Sequence, residues 1–231
     1  MNNLILVSFV GVDEKTDFNE IENFETTYPF EWSVLYSDSK SVGNYTRYPS
    51  YDFCNKFLKW GDSRGWLTSL HLCGGVIERY LKQDADVMKL CEKAKRIQLN
   101  LNIKSFPDYE KLADDLVEVM TTHDHDIILQ QNKSKTDFNK IFLARDPGKV
   151  NLLHDGSGGF GREITQVLPP DAKYFTGYAG GIKPENVAGI VDLIEKNNPN
   201  HKSYYIDMES GVRTDNIFSI EKCRQVVENL I

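Results

Sequence analysis

Two hydrophobic periods alternate along this chain. Eight short stretches are rich in β-branched, aromatic and leucine residues and read as strands: LILVSFV (4–10), EWSVLYS (31–37), WLTSLHL (66–72), RIQLNLN (96–102), HDIILQQ (125–131), KVNLLHD (149–155), AKYFTGYA (172–179) and KSYYIDM (202–208). Between them the apolar residues recur at helical spacing. The predicted helices lie at 16–25, 48–61, 76–94, 107–123, 135–145, a short one near 162–168, 184–197 and 219–230. Thr16 or Asp17 and Ser50 are expected N-caps, and Gly61 is expected to stop the second helix. In the fourth, Leu112, Leu116, Val119 and Met120 fall on one face.

Strict strand–helix alternation favours a parallel sheet with helical crossovers. Eight units in 231 residues predict an α/β chain folded as one (β/α)8 TIM barrel, a single domain over residues 1–231. An open doubly wound sheet is the runner-up. It usually has fewer units, and no GxGxxG follows the first strand here.

Composition narrows the class. The chain is 40% hydrophobic, as soluble domains are, and no apolar run reaches the roughly 18 residues of a membrane span. The opening MNNLILVSFVG has no basic leader region and reads as a first strand, not a signal peptide. Cys54, Cys73, Cys91 and Cys223 are scattered, which predicts a reduced, cytoplasmic setting and no metal cluster. A net charge of -7 with no basic run argues against a nucleic-acid partner. It leaves room for a small anion held by amides or single basic residues.

Barrel chemistry sits where strands run out into helices. Among those strand ends, the last two are the most informative. Gly180-Gly181 and, one strand later, Ser210-Gly211 can bring backbone N–H groups close to an anion. Together they predict a phosphate-binding site. His71, Cys73 and Asp155 also fall at strand ends, whereas His154 points away from Asp155 by alternation. His123 and His125 precede the fifth strand and belong to the opposite end of the barrel.

At these positions the chain resembles phosphoribosylanthranilate isomerase of tryptophan biosynthesis. GGIKPENV (180–187) matches that family's GGLNPENV, and DMESGVR (207–213) is similar to its DVSSGVE. LLHD (152–155), running into Gly158-Gly159-Phe160-Gly161-Arg162, is similar to its sixth strand and glycine loop. VSFVGV and Arg47-Tyr48 are looser counterparts of VKICGI and KRYI. The resemblance implies an isomerase, an intramolecular oxidoreductase running an Amadori rearrangement without metal or organic cofactor. It implies Asp155 as the acid, Arg47 on the aglycone carboxylate, Asp207 at the substrate, and Gly180, Gly181, Ser210 and Gly211 on the phosphate. The implied ligand is a phosphoribosyl small molecule, with no nucleic acid and no membrane, and with monomer and homodimer both open.

Two positions depart from the pattern. Val10 stands where the family keeps its basic cysteine, so the base is unassigned, with Cys73 activated by His71, or Glu209, as substitutes. Glu209 also puts a carboxylate beside the phosphate site, which Arg162 and Arg213 are placed to offset. The alternative function is a barrel that binds a phosphoribosyl ligand without isomerising it. A metal-dependent epimerase lacks the needed histidines. A Schiff-base aldolase needs a lysine inside the barrel, and the lysines here are read as lying before strands or in loops.

Overall fold

The computed structural model of the chain describes residues 2–41, 47–123, 126–156, 164 and 166–231. Its barrel strands are β1 (Leu4–Val10), β2 (Phe30–Tyr36), β3 (Thr68–Cys73), β4 (Arg96–Asn100), β5 (Asp126–Gln131), β6 (Val150–Asp155), β7 (Phe175–Ala179) and β8 (Tyr204–Met208). All eight are parallel and pair in chain order, and β8 returns to pair with β1. The expected (β/α)8 barrel is therefore the observed fold. Around it lie α1 (Phe18–Glu22), α2 (Tyr51–Ser63), α3 (Val76–Leu81), α4 (Ala85–Cys91), α5 (Tyr109–Thr122), α6 (Thr136–Leu143), α7 (Val187–Lys196) and α8 (Ile220–Glu228).

Local chemistry sets the helix ends. Asp17 accepts from the Asn19 amide at 2.8 Å, and Ser50 from the Phe53 amide at 3.3 Å, so both expected caps form. Three predicted boundaries are corrected. The 76–94 segment is two helices, because Gln83 takes a left-handed turn (φ 53°) and Asp84 then caps α4 through the Asp86 and Val87 amides. Gly61 does not end α2; it lies buried within it, two residues before the helix stops at Ser63. The residues described between 164 and 168 are irregular, not helical, and the rest of that stretch lies outside the described residues.

Strand alternation divides the side chains into two populations. Outward-facing Val7, Phe9, Trp32, Val34, Leu70, Leu72, Ile97 and Leu99 join the main core beneath the helices. The inward set is smaller and mixed. Leu6, Ile128, Leu153 and Tyr205 pack together inside the barrel, with Leu67 and Phe175 against them. Among them sits a fully buried ion pair. Arg96 Nε donates to Glu31 Oε2 at 2.7 Å and Nη2 to Oε1 at 2.8 Å, while the guanidinium covers the Tyr205 ring at 4.4 Å. Burial works to raise the Glu31 pKa, but Arg96 more than offsets it and holds the carboxyl below its ordinary value. A barrel interior is usually filled by branched apolar residues; here a bidentate charge pair takes part of that volume.

Candidate functional site

The C-terminal ends of the strands open into a cavity of about 770 Å³. β6, β7 and β8 form one wall. Their register puts Asp155 opposite Ala179, and Ala179 opposite Asp207, so the two aspartates flank a small residue on adjacent strands. With strands about 4.8 Å apart, their backbones are separated by roughly 10 Å. Both carboxyls line the cavity and both residues are buried.

The chain leaves this wall through the two glycine-containing turns. Gly180 and Gly181 have φ values of 126° and 60°, a sequence of conformations that a side chain would strain. The Asn186 side chain then clips the loop: Nδ2 donates to Gly181 O at 2.9 Å, and Oδ1 accepts from the Lys183 amide at 2.9 Å. This is the work of the asparagine in GGIKPENV. After β8, residues Ser210–Val212 form a single 3-10 turn. A Cβ on Gly211 would lie 1.9 Å from Ile182 O, so the turn is pressed directly onto the β7 loop. Among the described residues, no backbone carbonyl accepts from the N–H groups of Gly180, Gly181, Ser210 or Gly211. Gly180, Gly181 and Ser210 border the cavity, whereas Gly211 stands behind them as the contact between the turns.

Opposite, Val10, Leu35 and Cys73 pack into an apolar patch with Tyr48 against it. Burial pushes the Cys73 thiol up to about 11, despite an Asn100 Nδ2 donor 3.0 Å from Sγ. Burial likewise pulls His71 down to about 3, and its Nε2 meets Ser69 Oγ at 3.3 Å. From there, hydroxyls run inward through Ser33 and Ser8 to Glu31. The two residues do reach the cavity. However, a neutral imidazole facing Ser69 does not lower a thiol pKa; Asn100, Lys40 and Arg47 favour the Cys73 thiolate, and burial outweighs them.

Asp207 is different. Its Oδ1 is buried and, among the described residues, has no hydrogen-bond partner. Burial pushes this carboxyl up to about 7; the Ser8 hydroxyl opposes the rise and the Glu31 carboxylate adds to it. Ser8 has one proton to give, and it lies 3.1 Å from Glu31 Oε1.

Glu209 enters the cavity and meets Arg47. Arg47 Nη2 donates to Oε2 at 2.7 Å and Nε faces Oε1, so the two residues span the mouth from the β2 and β8 sides. Burial raises the Glu209 pKa and Arg47 opposes it. Arg213 is buried on Asp13 (Nη2 to Oδ2, 2.6 Å) and Gly11 O (Nη1, 2.7 Å), and from there it also opposes the rise at Glu209, as expected. Arg162 and the glycine loop at 158–161 lie outside the described residues, as does His125.

Lys135, the first residue of the predicted helix 135–145 and given no site role there, is buried, borders the cavity, and donates from Nζ to Gln130 Oε1. Lys40 and Tyr48 also border the mouth, 3.2 Å apart from Nζ to the hydroxyl. Lys40, Arg47 and Lys135 thus line the same space as the three carboxyls. Among the described residues, no three His, Cys, Asp or Glu side chains converge as a metal set.

No family model matches this chain, and no curated protein does. Solved structures do match. N-(5'-phosphoribosyl)anthranilate isomerase from Pyrococcus furiosus superposes with a TM-score of 0.55 at 16% identity, covering 98% of this chain and 98% of that one. N-acetylneuraminic acid (sialic acid) synthetase from Leptospira borgpetersenii serovar Hardjo-bovis gives 0.55 at 11%, covering 99% and 83%. A mutant tryptophan synthase alpha-subunit from Pyrococcus furiosus gives 0.53 at 11%, covering 99% and 96%. At these identities the shared property is the barrel fold.

Proposed function

We propose that the chain is a sugar-phosphate isomerase of the phosphoribosylanthranilate isomerase type, acting on a phosphoribosyl amine. The observation that carries this reading is the register Asp155–Ala179–Asp207 beside the two small-residue turns. It supplies a phosphate handle and two carboxyls on the same wall. In the proposed mechanism the amides of Gly180, Gly181 and Ser210 hold the phosphate. Asp155 protonates the furanose ring oxygen, the C1–O bond breaks, and a protonated Schiff base forms at C1. Asp207, as carboxylate, takes the proton from C2, and the resulting enamine enol tautomerises to the aminoketose. A base with a pKa of about 7 suits proton abstraction at neutral pH. Asp207 thereby takes the role left empty at Val10. Arg47 meets an aglycone carboxylate, sharing its guanidinium with Glu209.

The apolar Val10–Leu35–Cys73 patch favours a second reading, a barrel that binds a phosphoribosyl ligand without turnover. Assaying N-(5'-phosphoribosyl)anthranilate conversion beside ribose 5-phosphate binding separates the two. Turnover abolished by Asp155→Asn and by Asp207→Asn supports the isomerase. Binding without turnover supports the second reading, and neither binding nor turnover overturns both.

A further inference from the structure

Lys135 has no part in that mechanism, yet it is the most unusual amine in the molecule. It ends the 3-10 turn Lys133–Lys135 and sits at the N-terminal boundary of α6. A lysine at such a position ordinarily projects into solvent. This one folds back into the barrel mouth, where its residue is only 6% exposed. The turn is held from both sides: Asn132 Oδ1 accepts from the Ser134 amide at 3.2 Å, and Asn139 Nδ2 donates to Gln130 O at 3.0 Å. Nζ is fixed by Gln130 Oε1, a neutral acceptor. The charged and titratable groups facing it are the Asp155 carboxyl from β6 and the Cys73 thiol from β3. Burial outweighs both and pulls the amine down to about 8.

We propose that Lys135 is a nucleophilic amine that captures the carbonyl of an open-chain sugar phosphate as an imine. The idea goes beyond the isomerase reading, which needs no covalent step. The geometry supplies what the chemistry requires. A desolvated amine borders the cavity, the Asp155 carboxyl borders it within electrostatic reach to relay protons, and the small-residue turns after β7 and β8 line it as an anion cradle. Nζ adds to the carbonyl carbon, and the proton lost from nitrogen is passed to the carbonyl oxygen, giving a carbinolamine. Protonation of its hydroxyl, with Asp155 as the adjacent acid, expels one water as the nitrogen lone pair forms the C=N bond. Water re-adds to release the ligand, so the cycle consumes no oxidant or reductant.

Trapping with cyanoborohydride tests this on the intact protein. Ribose 5-phosphate is the probe, and hydride plus a solvent proton convert an imine to a stable secondary amine. The protein then gains the mass of the ligand less one oxygen atom. Peptide mapping at neutral pH is expected to place this label on Lys135 at least tenfold faster than on exposed Lys183. The Lys135→Arg variant, checked for an unchanged thermal melt, is expected to lose that label and keep the slow surface background. If Lys135→Arg fails to fold, labelling of Lys135 against Lys183 in the unmodified protein still decides the question. Label spread evenly over surface lysines, or unchanged in Lys135→Arg, overturns the proposal. Unphosphorylated glyceraldehyde, run in parallel, separates the two readings. Label on Lys135 from glyceraldehyde but not from ribose 5-phosphate keeps the amine and removes the phosphate cradle. Phosphate-competed binding of ribose 5-phosphate with no label keeps the cradle and removes the amine.

Discussion

Asp155 and Asp207 stand level in the barrel wall, one on each side of Ala179. Strand β7 holds the two apart, and because Ala179 is small a ligand lying over it can be reached from both flanks. If Asp207 is the base, kcat/KM for the phosphoribosyl amine falls tenfold per pH unit as the pH drops below about 7, because the carboxyl protonates there. Asp207→Asn is expected to lose about 10²–10⁴-fold in kcat and to lose this acid limb with it. A pH–rate profile of both proteins is the check; an acid limb retained in Asp207→Asn sinks the assignment.

The same residue makes stability depend on pH. The folded carboxyl titrates near 7, while the unfolded one titrates near its ordinary 3.8. Between those values the unfolded chain has released a proton that the folded chain retains. Stability contributed by this group is therefore present below about 4, falls as the pH rises through the window, and is fully lost above about 7. Urea titrations of Asp207→Asn against the parent are expected to diverge in favour of the variant from pH 4 to 8, by at most about 4 kcal/mol. Parallel curves with no divergence contradict the shift.

Gly211 and Gly189 offer a paired test of the two-turn wall. An alanine Cβ at Gly211 would meet the Ile182 carbonyl, a backbone atom, so one turn must move off the other. Gly211→Ala is expected to weaken phosphate binding more than tenfold and to lower the thermal midpoint. Gly189 lies exposed in α7 with open space around it, and Gly189→Ala is expected to stabilise by about 0.5–1 kcal/mol without touching affinity. Isothermal titration with inorganic phosphate and a melt of each variant decide it.

Glu209→Gln removes a negative charge from the cavity and leaves the Arg47 guanidinium with a neutral partner. Phosphate and carboxylate ligands are expected to bind several-fold more tightly, and the gain is expected to shrink as ionic strength rises. Weaker binding in this variant would show instead that Glu209 is needed to position Arg47 for the ligand.

The barrel was legible because eight strands and the helices between them keep different periods, and because parallel strands buried on both faces read as nearly continuous apolar runs. Strand ends also point to Asp155, His71 and Cys73, which the structure does place at the cavity. What they could not supply was solvation. His71 and Cys73 are adjacent inward residues on one strand, which suggests an activated pair, but burial drives them to about 3 and about 11. Lys135 was hidden by its setting in QQNKSKTDF, since nothing local tells a lysine that turns inward from one that does not. The Glu31–Arg96 pair was visible in principle. Both residues share the inward parity of their strands, but 65 positions separate them, and it is the pairing of β2 and β4 on either side of β3 that brings them together.

The packed lower half of the barrel, with Tyr205 between Arg96 and its apolar neighbours, makes the cavity a blind sac. Nothing bound there can pass through. A ligand in the cavity would come and go on the side where Arg47 and Glu209 meet. A bulky group left outermost there would hinder the next arrival until it cleared the rim.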